Sequence, residues 1–113
     1  MIVITGGAGF IGSNLAASLE ARGESDIVIC DRLGHEEKWR NIAKRELAAV
    51  IPPEALLDFL DGHSREIGVL FHMGAISSTT EPDVDRIVRN NFVLSRDLWD
   101  WCAEHGKRLI YAS

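Results

Sequence analysis

The chain has 113 residues and a formal net charge of −5 at pH 7, with 46% hydrophobic and 26% charged residues. These values are typical of one globular domain with a modest core. The acidic balance argues against nucleic acid or an anionic membrane as the main partner. The first apolar run covers only residues 1–4, which is too short for a signal peptide or a membrane span. We therefore expect a cytoplasmic protein.

The start of the chain predicts a strand, a tight turn and a helix in direct succession. Residues 2–5 form an apolar, β-branched run, and the turn after them contains Gly6, Gly7, Gly9 and Gly12. The last three glycines have the Gly-x-Gly-x-x-Gly spacing of dinucleotide-binding proteins. In that motif glycines allow a sharp turn, close approach of the backbone to a pyrophosphate, and packing of helix on strand. A helix over 10–22 would direct free N–H groups at the phosphates.

This spacing alone is weak evidence, so an acidic residue about 20 positions later is needed to hold a ribose hydroxyl. Asp31 directly follows a predicted strand over 27–30. The competing phosphate loop requires Gly-Lys-Ser/Thr, which the chain lacks. The pattern therefore favours a dinucleotide site, and a glycine-rich turn in some other α/β protein is the alternative.

The middle of the chain is less regular. Residues 32–51 have no clean period, and the third strand cannot be placed there from the pattern. Pro-Pro-Glu at 52–54 predicts the start of a short helix that ends at Gly62, because proline suits the first helical turn. A compact apolar strand follows over 69–72, and a loop of small residues covers 74–80.

The last third of the chain predicts a long helix from Pro82 to Gly106 and a strand over 108–113. Alternating strands and helices imply a parallel sheet with right-handed crossovers. We predict an α/β fold, a Rossmann-type doubly wound parallel sheet truncated after the fifth strand, in which residues 1–113 form one NAD(P)-binding domain. No helix follows the last strand to cover it, so we expect the N-terminal part of a longer protein.

The two cysteines, Cys30 and Cys102, have no ligand-like neighbours at metal spacing. A reducing compartment keeps such thiols free. We expect both to be small core residues and expect no metal site.

Several motifs together resemble the extended short-chain dehydrogenase/reductase superfamily. They are Thr-Gly-Gly-Ala-Gly-Phe-Ile-Gly-Ser at 5–13, Phe-His-Met-Gly-Ala at 71–75, Asn-Asn at 90–91 and Tyr-Ala-Ser at 111–113. Within that superfamily, Ser-Ser-Thr-Thr-Glu at 77–81 resembles the family of ADP-glycero-manno-heptose 6-epimerases. The resemblance covers nearly the whole chain.

This resemblance implies a nucleotide-sugar epimerase of lipopolysaccharide core heptose synthesis. Such an enzyme inverts C6'' of ADP-heptose by transient oxidation with bound NADP, and it assembles as a homo-oligomer. One alternative is another NAD(P)-dependent nucleotide-sugar epimerase or dehydratase. A second is a dinucleotide-binding module without chemistry.

The resemblance also indicates which residues line the site. The expected cofactor-binding residues are Gly6, Gly7, Gly9, Phe10, Ile11, Gly12, Asp31, Arg32, Lys38, Met73, Gly74, Ala75, Ile76, Ser77 and Asn90. The candidates on the substrate side are Ser78 and Thr79. The family's catalytic hydroxyl and Tyr-x-x-x-Lys are expected just after Ser113, so residues 1–113 alone are predicted to be inactive.

Two positions depart from the family pattern. Arg32 stands where a small polar residue is usual, and Pro53 stands where a lysine contacts the cofactor. Arg32 and Lys38 together suit a 2′-phosphate and hence NADP, whereas Asp31 alone favours NAD.

Several of these residues also have a purely structural interpretation. The hydroxyl run at 77–80 suits a turn or helix start, Asn90 and Asn91 could tie the helix to the sheet, and Lys38 could be a solvated surface lysine. His72 is interpreted as a structural residue at a strand end rather than as a base.

Overall fold

A computed structural model describes residues 1–33, 36–73 and 84–112. The strands are β1 (Ile2–Thr5), β2 (Ile27–Cys30), β3 (Ala49–Ile51), β4 (Val69–Met73) and β5 (Arg108–Ala112). The helices are α1 (Phe10–Ala21), α2 (Glu36–Ile42), α3 (Leu56–Gly62) and α4 (Val84–His105). A single 3-10 turn, Pro53–Ala55, leads into α3.

The five strands form one parallel sheet in the order β3-β2-β1-β4-β5. The central strand is β1, in which Ile2 pairs with Ile27 on one side and with Val69 on the other. From β1 the chain moves outward through β2 and β3 and then crosses back to β4, so the order reverses beside β1. In open α/β sheets ligands bind at such a switch point, outside the carboxyl ends of the strands. The predicted Rossmann-type fold is confirmed.

Apolar layers cover both faces of the sheet. Successive residues of a strand point to opposite faces, and accordingly Val3 and Ile4 belong to different layers. The first layer joins the sheet to α3 and α4 and includes Val3, Val28, Leu56, Leu60, Leu70, Leu98 and Trp101. The second layer joins the sheet to α1 and α2 and includes Ile4, Ala16, Ile27, Ile29 and Ile42. The two layers hold the carboxyl ends of β1, β2 and β4 together.

Residues 32–51, where the sequence pattern placed no strand, contain α2 and β3. The strand has three residues and pairs with Val28–Cys30 at the edge of the sheet, where Val50 is 41% exposed. A three-residue edge strand is too short to show a recognisable alternation. This brevity explains why the pattern did not reveal it.

The other predicted elements agree with the structure within a residue or two at their described ends. Helix α1 ends at Ala21, one residue before the predicted boundary, and Gly23 adopts the positive φ of a helix terminus. The predicted start of the long helix at Pro82 and the end of the last strand at Ser113 lie outside the described residues. Both cysteines are buried, as expected. Within the described ranges, none of the helices combines the length and apolar character that crossing a membrane requires.

Candidate functional site

Residues 6–12, which comprise the turn after β1 and the first residues of α1, are here called the glycine turn. Three of its glycines leave no room for a side chain. A Cβ on Gly6 would lie 2.3 Å from the carbonyl oxygen of Met73, and one on Gly12 would lie 2.3 Å from the carbonyl oxygen of Gly6. A Cβ on Gly7 would lie 2.8 Å from both γ carbons of Ile29. These contacts press the turn and the start of α1 against β1, β2 and β4.

Gly9 differs from these three glycines. Among the residues that the structure describes, a Cβ there would meet only the carbonyl oxygen of Gly6, at 3.3 Å. Gly9 is the N-cap of α1 with an extended backbone, no side chain caps this helix end, and the first turn carries no acidic residue. Packing within the chain therefore explains why positions 7 and 12 require glycine, but it explains the glycine at position 9 less well. Position 9 is where the dinucleotide motif brings a pyrophosphate close to the backbone, so the turn fits such a ligand.

Phe10 and Ile11 begin α1 and are unusually exposed for large apolar residues. Their exposed fractions are 81% and 62%. They lie at the positive end of the helix dipole, beside the backbone of the glycine turn. A ligand that combines phosphate with apolar rings would cover both the exposed apolar side chains and the positive end of the helix.

Asp31 lies directly after β2 and is 5% exposed. Its Oδ2 accepts the backbone N–H of Ala8 at 3.0 Å, and its Oδ1 accepts the backbone N–H of Arg32 at 2.7 Å and lies 3.1 Å from Nζ of Lys38. A carboxylate offers about four acceptor positions, so the contacts among the described residues leave about one for a ribose hydroxyl. Asp31 therefore braces the glycine turn in addition to offering an acceptor.

Asn41 was not expected in the site. Its side-chain nitrogen donates to the carbonyl oxygen of Ala8 at 2.9 Å, so side chains from two other elements hold both backbone groups of Ala8. Asn41 belongs to α2, whose position the sequence pattern did not reveal. No signal in the sequence connects it with a turn 33 residues away.

Arg32 forms an ion pair with Glu54 at the carboxyl ends of β2 and β3. The two side chains are 47% and 58% exposed. Together with the pair between Lys38 and Asp31, this places two cations and two carboxylates side by side. We call these four residues the charged corner. Lys38 is thus an ion-paired residue with a 28% exposed side chain, not a freely solvated one, and Glu54 was not expected.

Cys30 is the last residue of β2 and lies beneath the charged corner. Its burial and the nearby carboxylates of Asp31 and Glu54 raise its pKa to about 12, against the opposite effect of Arg32. The thiol is therefore protonated at neutral pH, and it is not a nucleophile there.

His72 occupies a buried position between β1 and α4. Its Nδ1 lies 2.5 Å from the hydroxyl of Thr5, and its Nε2 lies 2.9 Å from the hydroxyl of Ser95. Burial lowers the pKa of His72, which favours the neutral ring. The two hydrogen bonds tie β1, β4 and α4 together just below the glycine turn, in agreement with the structural interpretation.

The described residues bring most of the expected site together. The glycine turn, Asp31, Arg32 and Lys38 lie around the carboxyl ends of β1 and β2, and Met73 lies against Gly6. The expected residues outside the described ranges are Gly74, Ala75, Ile76, Ser77, Ser78 and Thr79. Asn90 belongs to α4, but its side chain falls outside what the structure describes.

The family model for the NAD dependent epimerase/dehydratase family matches residues 2–113. The chain belongs to this family. It is 44% identical over 115 residues to the ADP-L-glycero-D-manno-heptose-6-epimerase of Fusobacterium nucleatum, with 100% of this chain and 35% of that relative covered. The enzyme of the same name from Alkalilimnicola ehrlichii is 40% identical, with 100% and 36% covered. The chain thus spans about a third of the length of these curated relatives.

Solved structures of this family's epimerases have the same fold. The ADP-L-glycero-D-manno-heptose-6-epimerase of Helicobacter pylori superposes with a TM-score of 0.75 at 30% identity, over 99% of this chain and 38% of that one. The UDP-glucuronic acid 4-epimerase of Bacillus cereus, solved with UDP-glucuronic acid and NAD, gives 0.74 at 27% identity, over 97% and 38%. Both comparisons match this chain to the Rossmann-like part of a nucleotide-sugar epimerase.

Proposed function

We propose that this chain is the dinucleotide-binding part of an ADP-glycero-manno-heptose 6-epimerase. The observation that carries dinucleotide binding is the glycine turn, in which internal contacts exclude side chains at 6, 7 and 12 while position 9 has more room among the described residues. The relatives at 40–44% identity along the whole chain support the heptose substrate. The full-length enzyme then serves lipopolysaccharide core heptose synthesis as a cytoplasmic homo-oligomer.

Each part of the site has a distinct role in this proposal. The backbone of the glycine turn and the first turn of α1 bind the pyrophosphate, and Phe10 and Ile11 cover it. Asp31 accepts a ribose hydroxyl while it holds the turn through Ala8. The segment from Met73 to Ser77 and Asn90 line the rest of the cofactor.

The reaction itself needs groups beyond these. A bound nicotinamide dinucleotide supplies hydride acceptance and return at one carbon, so the C6'' configuration inverts without net redox change. Ser78 and Thr79 face the sugar in this proposal. The proton-transfer groups follow Ser113, and general acid–base catalysis of that kind contributes about 10²–10⁴ in rate.

The proposed cofactor is NADP. Arg32 and Lys38 follow the carboxyl end of β2, where an acidic residue of this motif holds the adenosine ribose, and both cations suit a 2′-phosphate. In the full-length protein, Arg32→Ala is expected to weaken NADP binding more than NAD binding, by up to about 1.5–3 kcal/mol if one charge-assisted hydrogen bond is lost. Equal weakening of both would show that Arg32 does not contact the phosphate.

The epimerase proposal is tested with ADP-glycero-manno-heptose that carries deuterium at C6''. We expect the full-length protein to form the C6'' epimer with the deuterium retained, because the hydride leaves and returns within one site. Loss of the label to ordinary water would indicate proton abstraction and contradict this mechanism. Residues 1–113 alone are the negative control and should give no turnover above background.

The same assay separates the two alternatives. Turnover of a UDP-sugar with none of ADP-heptose would indicate another nucleotide-sugar epimerase, such as the Bacillus cereus structure that shares the fold. Dinucleotide binding without turnover of any nucleotide sugar would indicate a binding module. A Tyr-x-x-x-Lys in the chain that follows residue 113 would favour an enzyme over that module.

A further inference from the structure

We propose that Glu54 is a specificity-determining residue of the dinucleotide site, whose carboxylate competes with a 2′-phosphate for the guanidinium of Arg32. This inference rests on the proposed function. It concerns the ratio of NADP to NAD affinity rather than binding as such. Glu54 lies outside the glycine turn and is not among the site residues expected from the sequence.

The sheet brings Arg32 and Glu54 together although they are 22 residues apart. Strands β2 and β3 are parallel neighbours, and the N–H of Asp31 donates to the carbonyl oxygen of Ile51 at 3.0 Å. Glu54 follows two prolines directly after β3, and Pro52 is extended with φ −75° and ψ 156°. Because proline fixes φ, the two prolines before Glu54 hold its backbone in place beside Arg32.

The balance of charges in the corner determines how the ion pair between Arg32 and Glu54 affects the binding of a 2′-phosphate. Arg32 is paired with Glu54, and Lys38 is paired with Asp31, so the four residues sum to no net charge. A phosphate monoester carries about −1.5 to −2 at neutral pH. A phosphate that contacts Arg32 must compete with the carboxylate of Glu54 for that guanidinium. The neutral 2′-hydroxyl of NAD does not compete with Glu54 for Arg32, and it can donate to Asp31.

The charges of the corner lie close to the thiol of Cys30. Asp31, Glu54 and Arg32 all act on that one thiol at the end of β2. The ion pair with Arg32 holds the carboxylate of Glu54 beside the residues that follow β2, where the motif binds the adenosine ribose. Glu54 thus opposes the preference that Arg32 confers.

The test compares dinucleotide affinities of the full-length protein after removal of any bound cofactor. Binding of NADPH and NADH is measured by calorimetry for the wild type, Glu54→Gln, Arg32→Ala and the double variant. Glu104→Gln is the matched control, because it removes the same charge from an exposed residue of α4 just before β5, at the opposite end of the sheet. The Glu54 side chain is 58% exposed, so its replacement should not prevent folding.

We expect Glu54→Gln to tighten NADPH binding by about fivefold, the size of one unit-charge contact in water, and to change NADH binding by less than twofold. In the Arg32→Ala background the same substitution should change neither affinity by more than twofold. Glu104→Gln should leave both unchanged.

Three results would overturn the inference. Equal changes for both dinucleotides, or no change in NADPH affinity, would show that Glu54 does not discriminate between them. A full effect of Glu54→Gln in the Arg32→Ala background would show direct repulsion instead of competition for Arg32. A wild-type protein that binds neither dinucleotide would overturn the proposed function itself, which the first two results leave standing.

Discussion

The glycine turn and the charged corner lie beside each other at the carboxyl ends of the strands, yet different forces hold them. In the glycine turn, backbone atoms of Gly6 and Met73 and the side chain of Ile29 occupy the space that side chains would need. In the charged corner, long side chains meet at the surface, where Arg32 and Glu54 are about half exposed. Steric contacts of the first kind are rigid, whereas exposed ion pairs exchange partners at little cost.

This difference separates two tasks within one site. The pyrophosphate is common to all nicotinamide dinucleotides, so a turn of fixed shape suits it. The 2′ position is where NAD and NADP differ, and a corner of exchangeable charges can favour either one. We infer that changes in the turn affect stability and all dinucleotide binding, while changes in the corner affect mainly the choice between them.

The largest effect is expected for Gly12→Ala. The added Cβ would lie 2.3 Å from the carbonyl oxygen of Gly6 and 2.8 Å from the Cα of Gly7, and neither backbone atom can move without opening the turn. Overpacking of this severity costs about 3 kcal/mol or more. The free energy of unfolding from urea titration measures it.

Gly62→Ala is the matched control for this substitution. Gly62 is the last residue of α3, and a Cβ there would meet no atom of the described part of the chain within 4 Å. Alanine is preferred in helices by up to about 1 kcal/mol, so the control should be neutral or slightly stabilising. If Gly12→Ala were as mild as Gly62→Ala, the glycine turn would not be rigid and the contrast with the corner would disappear.

The second largest effect is expected for Asp31→Ala, which tests whether Asp31 belongs to the turn as well as to the corner. The substitution leaves the backbone N–H of Ala8 without its acceptor, and an unsatisfied buried donor costs about 1–3 kcal/mol. Urea unfolding should show this loss, whereas Asp100→Ala, at an exposed position of α4, should change stability by less than about 0.5 kcal/mol. Equal losses would mean that Asp31 does not brace the turn.

The same contrast explains which features the sequence reveals. The glycine turn is local: the strand, the glycines and the helix follow one another within residues 2–22, and their spacing carries the prediction. The parallel pairing of the strands follows from the alternation of strands and helices. Asp31 is also predictable, because the motif places an acid at the end of the second strand.

The charged corner is not local, and for that reason one of its four residues, Glu54, is not predicted from the sequence. Glu54 meets Arg32 only because β3 lies beside β2, and β3 is a three-residue strand without a recognisable pattern. Asn41 reaches Ala8 from α2, which lies in the same irregular stretch. Where a contact depends on an element that the sequence pattern does not place, the sequence does not reveal which residues are partners.

A smaller, pH-dependent effect is expected from His72, which supports the turn from below through Thr5. Burial lowers its pKa in the folded state, while an unfolded histidine titrates near pH 6.5. As the pH falls through that value, the unfolded chain takes up a proton that the folded chain resists, so the folded state loses stability. His72→Gln should flatten this part of the pH profile, measured by urea titration at pH 7.5 and 5.5. An unchanged slope would contradict the prediction.

The smallest effect on stability is expected at the charged corner itself. Exposed ion pairs contribute about 0–1 kcal/mol, so Arg32→Ala, Glu54→Gln and the double variant should each unfold within about 1 kcal/mol of the wild type. The coupling energy from the double-mutant cycle should lie within the same range. This small value is what lets Arg32 exchange Glu54 for a phosphate. A coupling energy of several kcal/mol would make the pair a fixed part of the scaffold, and the corner would then be as rigid as the glycine turn.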